Sequence, residues 1–158
     1  MKKLFFIVAI AATALIQKSF AQDNTKLYQL PQLLTYYYNI KNALVAGDAT
    51  AASSSAQAFV KTANSIDYKI ISEGNINTLV KDAGKIAKDK DIKNQRAYFA
   101  NFSTNMAVVA KAVKLTDQPI YQAYCPMKKA YWLTNENTIK NPYFGSAMLT
   151  CGSIKETL

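Results

Sequence analysis

Two thiols and two thioethers fall close together near the C-terminal end of this chain, in Cys125-Pro126-Met127 and in Met148-Leu149-Thr150-Cys151-Gly152. These are the softest donors a protein has, and they suit Cu(I) before other ions. Cys125 and Met127 converge on one ion if the chain bends at Pro126. Met148 and Cys151, three apart, share a face on a helical turn. The same two cysteines also suit a disulfide, because their number is even and an oxidising compartment favours pairing. Such a bond closes a loop of about 26 residues and stabilises by roughly 3–4 kcal/mol on the chain-entropy model. The metal reading takes Cys125, Met127, Met148 and Cys151 as ligands, with Tyr124, Trp132 and Tyr143 shielding them from water. The disulfide reading takes Cys125 and Cys151 alone and leaves the methionines as packing.

Other chemistries find little support. The chain has no histidine, which removes Ser-His and Cys-His nucleophile pairs and the commonest general base. A zinc site of the usual nitrogen and sulfur type would have only two thiolates. There is no glycine-rich phosphate loop, and the acids form no paired set for glycosidase or calcium chemistry. Ser53-Ser54-Ser55 and Ser103 carry no motif. Asn101-Phe102-Ser103 matches a glycosylation triplet, but it falls within a helical pattern. The chain therefore reads as a binding protein and not as an enzyme.

The N-terminus has the form of an export signal. Lys2 and Lys3 precede an apolar run from Leu4 to Ile16, and Ser19-Phe20-Ala21 fits a small-x-small cleavage site. The run is short for a permanent membrane span. The expected organisation is a signal peptide at 1–21 and one exported domain at 22–158, periplasmic or else secreted, without stable membrane insertion. The removed segment holds three lysines and no acid, so a net charge of +9 falls to +6. Lys81, Lys85 and Lys88 line one side of a helix, and Lys90, Lys93 and Arg96 follow. Asp82, Asp89 and Asp91 interrupt this run, which marks a solvated face and not a nucleic-acid site. Attraction to an anionic membrane surface or an acidic partner stays open.

Four helices are expected to position the sulfur-bearing segment. Leu30, Leu33, Leu34, Tyr37, Ile40 and Leu44 make one stripe of a helix from about Leu27 to Ala46. Gly47 stops it, and Asp48 caps a second helix running to about Ser65, which implies an antiparallel hairpin. A third helix runs from Ser72 or Asn75 to Lys88, weakened by Gly84. Asp89 or Asp91 caps a fourth, from Ile92 to Leu115, whose seam of Phe99, Phe102, Met106, Val109 and Val113 is that of a bundle. Gln95 is the polar residue of that seam, suited to a cross-bundle hydrogen bond, and Arg96 beside it suits an acid. The predicted class is all-α: an antiparallel four-helix bundle over about 27–116, followed by an irregular segment over about 117–158. Turns, short strands and a short helix are expected in that segment.

Tyr124-Cys125-Pro126-Met127, Trp132-Leu133, Ile139-Lys140-Asn141-Pro142-Tyr143-Phe144-Gly145 and Met148-Leu149-Thr150-Cys151-Gly152 together carry a likeness. With Tyr37, the Leu44 hairpin, Gln95-Arg96, Phe99 and Ser103, the chain resembles an exported domain-of-unknown-function family of Bacteroidota over nearly its whole mature length. Members of that family stand alone or are fused to periplasmic adaptor subunits of heavy-metal efflux pumps of the resistance-nodulation-division type. The resemblance implies a heavy-metal context, with an efflux adaptor or another envelope protein as partner, and no mechanism. Tyr124-Cys125-Pro126-Met127 is also similar to the start of a short heavy-metal-binding domain of those adaptors. The likeness stops at Lys128, where a histidine is expected, and the later cysteine pair of that domain is missing.

Overall fold

The computed structural model describes residues 18–158, with side chains from Gln29 onward. The expected signal peptide lies outside the described residues except for 18–21, which are already helical and continuous with the first helix. Four helices follow one another: α1 (Lys18–Ala46), α2 (Ala49–Ala63), α3 (Glu73–Lys88) and α4 (Ile92–Ala112). Each lies within a few residues of its expected bounds except α1, which starts nine residues earlier than Leu27. Among the described residues, no helix is long and apolar enough to cross a membrane.

Local chemistry sets the joints. Gly47 takes φ +78°, its N–H bonds to the Leu44 carbonyl, and the Asp48 N–H bonds to the Ala43 carbonyl at 2.9 Å. Those two bonds close α1 in the Schellman manner. Asp48 then caps α2 by accepting from the Ala51 N–H, so α1 and α2 turn back on each other with almost no loop. Asp91 caps α4 in the same way through the Lys93 N–H, and Asp89 accepts from the Asp91 N–H just before it. Gln95, fully buried, donates its amide to the carbonyls of Ala49, Ile86 and Asp89, which ties the start of α2 to the end of α3. Arg96 finds no acid: its guanidinium bonds to the Leu44 carbonyl at the end of α1. An exposed helix end offers partial negative charge, so the carbonyl substitutes for a carboxylate.

The all-α expectation is corrected beyond residue 116. The last segment folds into a three-stranded antiparallel sheet, β1 (Tyr121–Cys125), β2 (Ala130–Thr134) and β3 (Ser153–Thr157), in the order β2-β1-β3. A single 3-10 turn, Gly145–Met148, precedes β3. The molecule is thus a helical bundle carrying a small sheet, and β2 packs against α4. Strands of five residues give little periodic signal, and their pairing is set by partners distant in the chain.

Tyr37 of α1 joins the two parts. It is fully buried. Its ring stacks on Phe99 at 5.4 Å and touches Phe102, so α1 and α4 share an aromatic core. Its hydroxyl bonds with Ser103 of α4 and accepts the Leu133 N–H of β2 at 2.9 Å. Burial pushes that hydroxyl far above its ordinary pKa, so it stays protonated. Tyr143 donates to the Tyr131 carbonyl on the same strand. Two tyrosines therefore saturate backbone groups of an edge strand, which would otherwise be open to pairing with another chain. Tyr37→Phe leaves the Leu133 N–H and the Ser103 hydroxyl buried without this partner. It is expected to cost about 1–3 kcal/mol in urea unfolding, and a change of only a few tenths would contradict this role.

Lys41, one helical turn further along α1, is the unexpected member of the core. It is only 1% exposed, and its ammonium makes one long bond, 3.4 Å, to the Thr134 hydroxyl. Desolvation lowers its pKa; Glu136 draws it back up, and Lys140, itself paired with Glu136, lowers it again. The folded pKa therefore lies below the unfolded one. Between the two values the unfolded chain holds more protons, so stability rises with pH toward the ordinary lysine range. Lys41→Met is expected to stabilise by about 1 kcal/mol near neutrality and to flatten the alkaline rise, as read from thermal unfolding across pH.

Candidate functional site

The structure brings the two cysteines together. Cys125 ends β1, fully buried, and Cys151 stands just before β3, half-buried. Their sulfurs lie 3.8 Å apart and both are free thiols. The pairing follows from strand register. Tyr124 pairs with Ser153 across β1 and β3, which brings Cys125 level with Gly152 and Cys151 one residue further, so the two sulfurs meet at the end of the ladder.

Three features hold this geometry. Gly152 takes φ +142°. A Cβ there would lie 2.7 Å from the Trp132 ring and 2.9 Å from the Tyr124 carbonyl, so only glycine lets the chain pass beneath the indole. Asn141, fully buried, donates from its side chain to the Cys151 carbonyl at 2.7 Å, and its backbone N–H bonds to the Leu149 carbonyl. Its side-chain oxygen accepts the Tyr143 N–H, so this one residue ties the Asn141-Pro142-Tyr143 turn to the Cys151 strand. Gly145, at φ +55°, sits where a Cβ would be 2.4 Å from the Arg96 guanidinium and 2.8 Å from the Val45 carbonyl. The loop that carries Cys151 is thereby seated on the end of α1.

The β1–β2 turn supplies donors to sulfur. The Lys128 N–H points at the Cys125 sulfur at 3.4 Å, and the Met127 N–H bonds to Cys151. The Cys151 thiol is pushed above its ordinary pKa, first by desolvation and then by Cys125, while the Met127 N–H draws it back. Backbone N–H groups thus stand ready for the negative charge that would form on losing a proton.

The methionines are placed differently. Met127 projects from the turn and is 66% exposed. Met148 closes the 3-10 turn, half-buried, and its carbonyl accepts the Cys151 N–H. The four sulfurs therefore do not form one buried cluster: the two thiols meet at the end of the β1–β3 ladder, while Met127 stands exposed on the β1–β2 turn and Met148 half-buried in the 3-10 turn. Among the expected shielding aromatics, Trp132 lies over Gly152 and meets Tyr143 edge to face at 6.0 Å. Desolvation pushes the Tyr143 hydroxyl well above its ordinary pKa, with smaller upward contributions from Tyr37 and from nearby Cys125. Tyr124 is the exception. Side chains alternate along a strand, so it faces away from Cys125 and packs on Tyr131 at 4.6 Å. No group of three or more cysteine or acid side chains able to hold a metal occurs among the described residues. Any ion at this site would rest on the thiol pair with thioether or backbone help.

Sequence reasoning passed over Asn141 as an organiser, although the Asn-Pro pair carried a turn signal. The Asn101 triplet is accounted for structurally: its amide donates to the buried Asp82 carboxylate at 2.6 Å, beside Asn105.

Fold and site together define a small helical-bundle protein with a sheet-borne dithiol. The chain belongs to the family described as Protein of unknown function (DUF3347), whose model matches residues 33–118. The match covers the core of the bundle and stops before Cys125, so the sulfur-bearing sheet is a feature of this chain beyond the matched region. Neither the curated proteins nor the solved structures contain a match.

Gly152→Ala is expected to cost more than about 2 kcal/mol and to release Cys151 from Cys125. The readout is faster reaction of the Cys151 thiol with a thiol reagent. Unchanged stability and reactivity would show that the glycine does not set the pair.

Proposed function

We propose that the protein is an exported soft-metal-binding protein, with Cu(I) the favoured ion and heavy-metal handling or efflux its context. The single observation that carries this reading is the thiol pair, 3.8 Å apart, facing two backbone N–H donors. Two thiolates each ~2.3 Å from one ion, at a tetrahedral or trigonal angle, stand about 3.8–4.0 Å apart. The pair thus fits an ion with little movement, and the N–H groups offset thiolate charge. Cys125 and Cys151 are the primary ligands. Met127, exposed on the turn, and Met148, next to Cys151, complete the set from outside. The likeness to adaptor-fused domains supports the efflux context, and the partner proposed is such an adaptor or another envelope protein.

A second reading is favoured by the same proximity. Closing the sulfurs to about 2 Å makes a disulfide, and the protein becomes a stapled interaction module of the envelope without metal. Intact mass of the exported protein with and without reduction separates the two: a deficit of two hydrogens that reduction restores marks the staple.

The metal reading is tested by competition with a chromogenic Cu(I) chelator under reducing conditions. The reduced protein is expected to retain about one ion, with affinity that rises with pH as thiol protons are displaced. Cys125→Ser and Cys151→Ser should each weaken retention by at least about tenfold, and Met127→Leu less so. Retention no greater than that of the double-serine variant would exclude the site.

A further inference from the structure

The acids that interrupt the lysines of α3 in sequence turn away from them in the fold. Asp82 is 3% exposed and spends its carboxylate on Asn101 and Asn105 of α4, with Lys85 at 3.5 Å. Asp89 and Asp91 each use an oxygen to accept a backbone N–H at the start of α4. Among the described residues, Lys81, Lys88 and Lys90 make no ion pair. Elsewhere Lys111 pairs with Glu156, Lys114 with Asp117 and Lys140 with Glu136.

This basic face is not smooth. A shallow depression of about 460 Å³ between α2 and α3 has Val60, Val80 and Gly84 beside Lys81, Lys85 and Lys88. A Cβ on Gly84 would meet nothing within 4 Å, so the glycine leaves the depression open. A second, of about 480 Å³, shares Lys85 and Lys88 and adds Tyr98, Lys90 and Asp89. From this we infer that the α2–α3 face is a docking surface for anionic lipid headgroups, which holds the protein peripherally at a membrane.

Charge complementarity selects the occupant. Lysines offer mobile point charges, suited to a diffuse layer of phosphates, whereas bidentate recognition of one phosphopeptide or carboxylate calls for arginine. Arg96, nearest in sequence, is spent on the Leu44 carbonyl. Apolar patches among lysines, with a tyrosine at the rim, match the layer where headgroups meet acyl chains. The inference is independent of the sulfur site, since none of its residues lies in the sheet.

Sedimentation with vesicles tests it, comparing equal parts phosphatidylcholine and phosphatidylglycerol with phosphatidylcholine alone. The neutral vesicles measure, and allow subtraction of, any partition of the apolar N-terminal run. The expected result is charge-dependent binding that fades at high salt. It should fall by roughly 100-fold in the Lys81→Gln, Lys85→Gln, Lys88→Gln triple variant, as three headgroup contacts are lost. The triple Gln variant should keep the wild-type circular dichroism, and Lys128→Gln with Lys129→Gln should bind as wild type. Equal binding to both vesicles, or a triple variant that binds as wild type, would overturn the inference. So would retention on polyglutamate with none on the anionic vesicles, which would assign the face to an acidic protein instead.

Discussion

The hydroxyl of Tyr37 is the interaction on which the rest of the molecule depends. It lies where α1, α4 and β2 meet, bonded to Ser103 and to the Leu133 N–H in a site closed to water. A buried donor without a partner is costly, so these groups hold one another in place. Through Tyr37 the helical core fixes the height and tilt of the sheet. Through the sheet it fixes where Cys125 emerges and where Cys151 returns. Gln95 does comparable work at the opposite joints, giving three carbonyls at helix ends one amide to share.

The sulfur pair is built by exclusion of alternatives more than by attraction. Gly152 is obligatory beneath Trp132, Gly145 beneath Arg96, and Asn141 holds the intervening loop by bonds in three directions. Each constraint is local, and together they leave Cys151 beside Cys125. Desolvation raises the Cys151 pKa and so favours its thiol form until a metal ion or an oxidant displaces the proton. The metal and disulfide readings thus use the same geometry and differ in what arrives first.

Helices were legible in the sequence because their signals are local: the Gly47-Asp48 joint, the Asp91 cap and the stripe from Leu33 to Leu44 all appear where expected. The sheet was not, since Tyr121–Cys125 and Ala130–Thr134 are short and acquire their meaning from each other and from Ser153–Thr157. Proximity of Cys125 and Cys151 was legible from composition; the outward placement of Met127 and Tyr124 was not, because it depends on strand phase. Polar residues were hardest to read. Lys41 and Asp82 look like surface residues in sequence and are buried in the fold, and the withdrawal of Asp82 alters the character of the whole α3 face.

We propose, then, that the fold presents Cys125 and Cys151 as a joint site for a soft ion. The decisive measurement is X-ray absorption at the copper edge on reduced protein loaded with one equivalent of Cu(I). The expected spectrum has a first shell of sulfur alone, which is lost in the Cys125→Ser, Cys151→Ser variant. A shell of nitrogen and oxygen, or a sulfur shell that survives the double substitution, would contradict it.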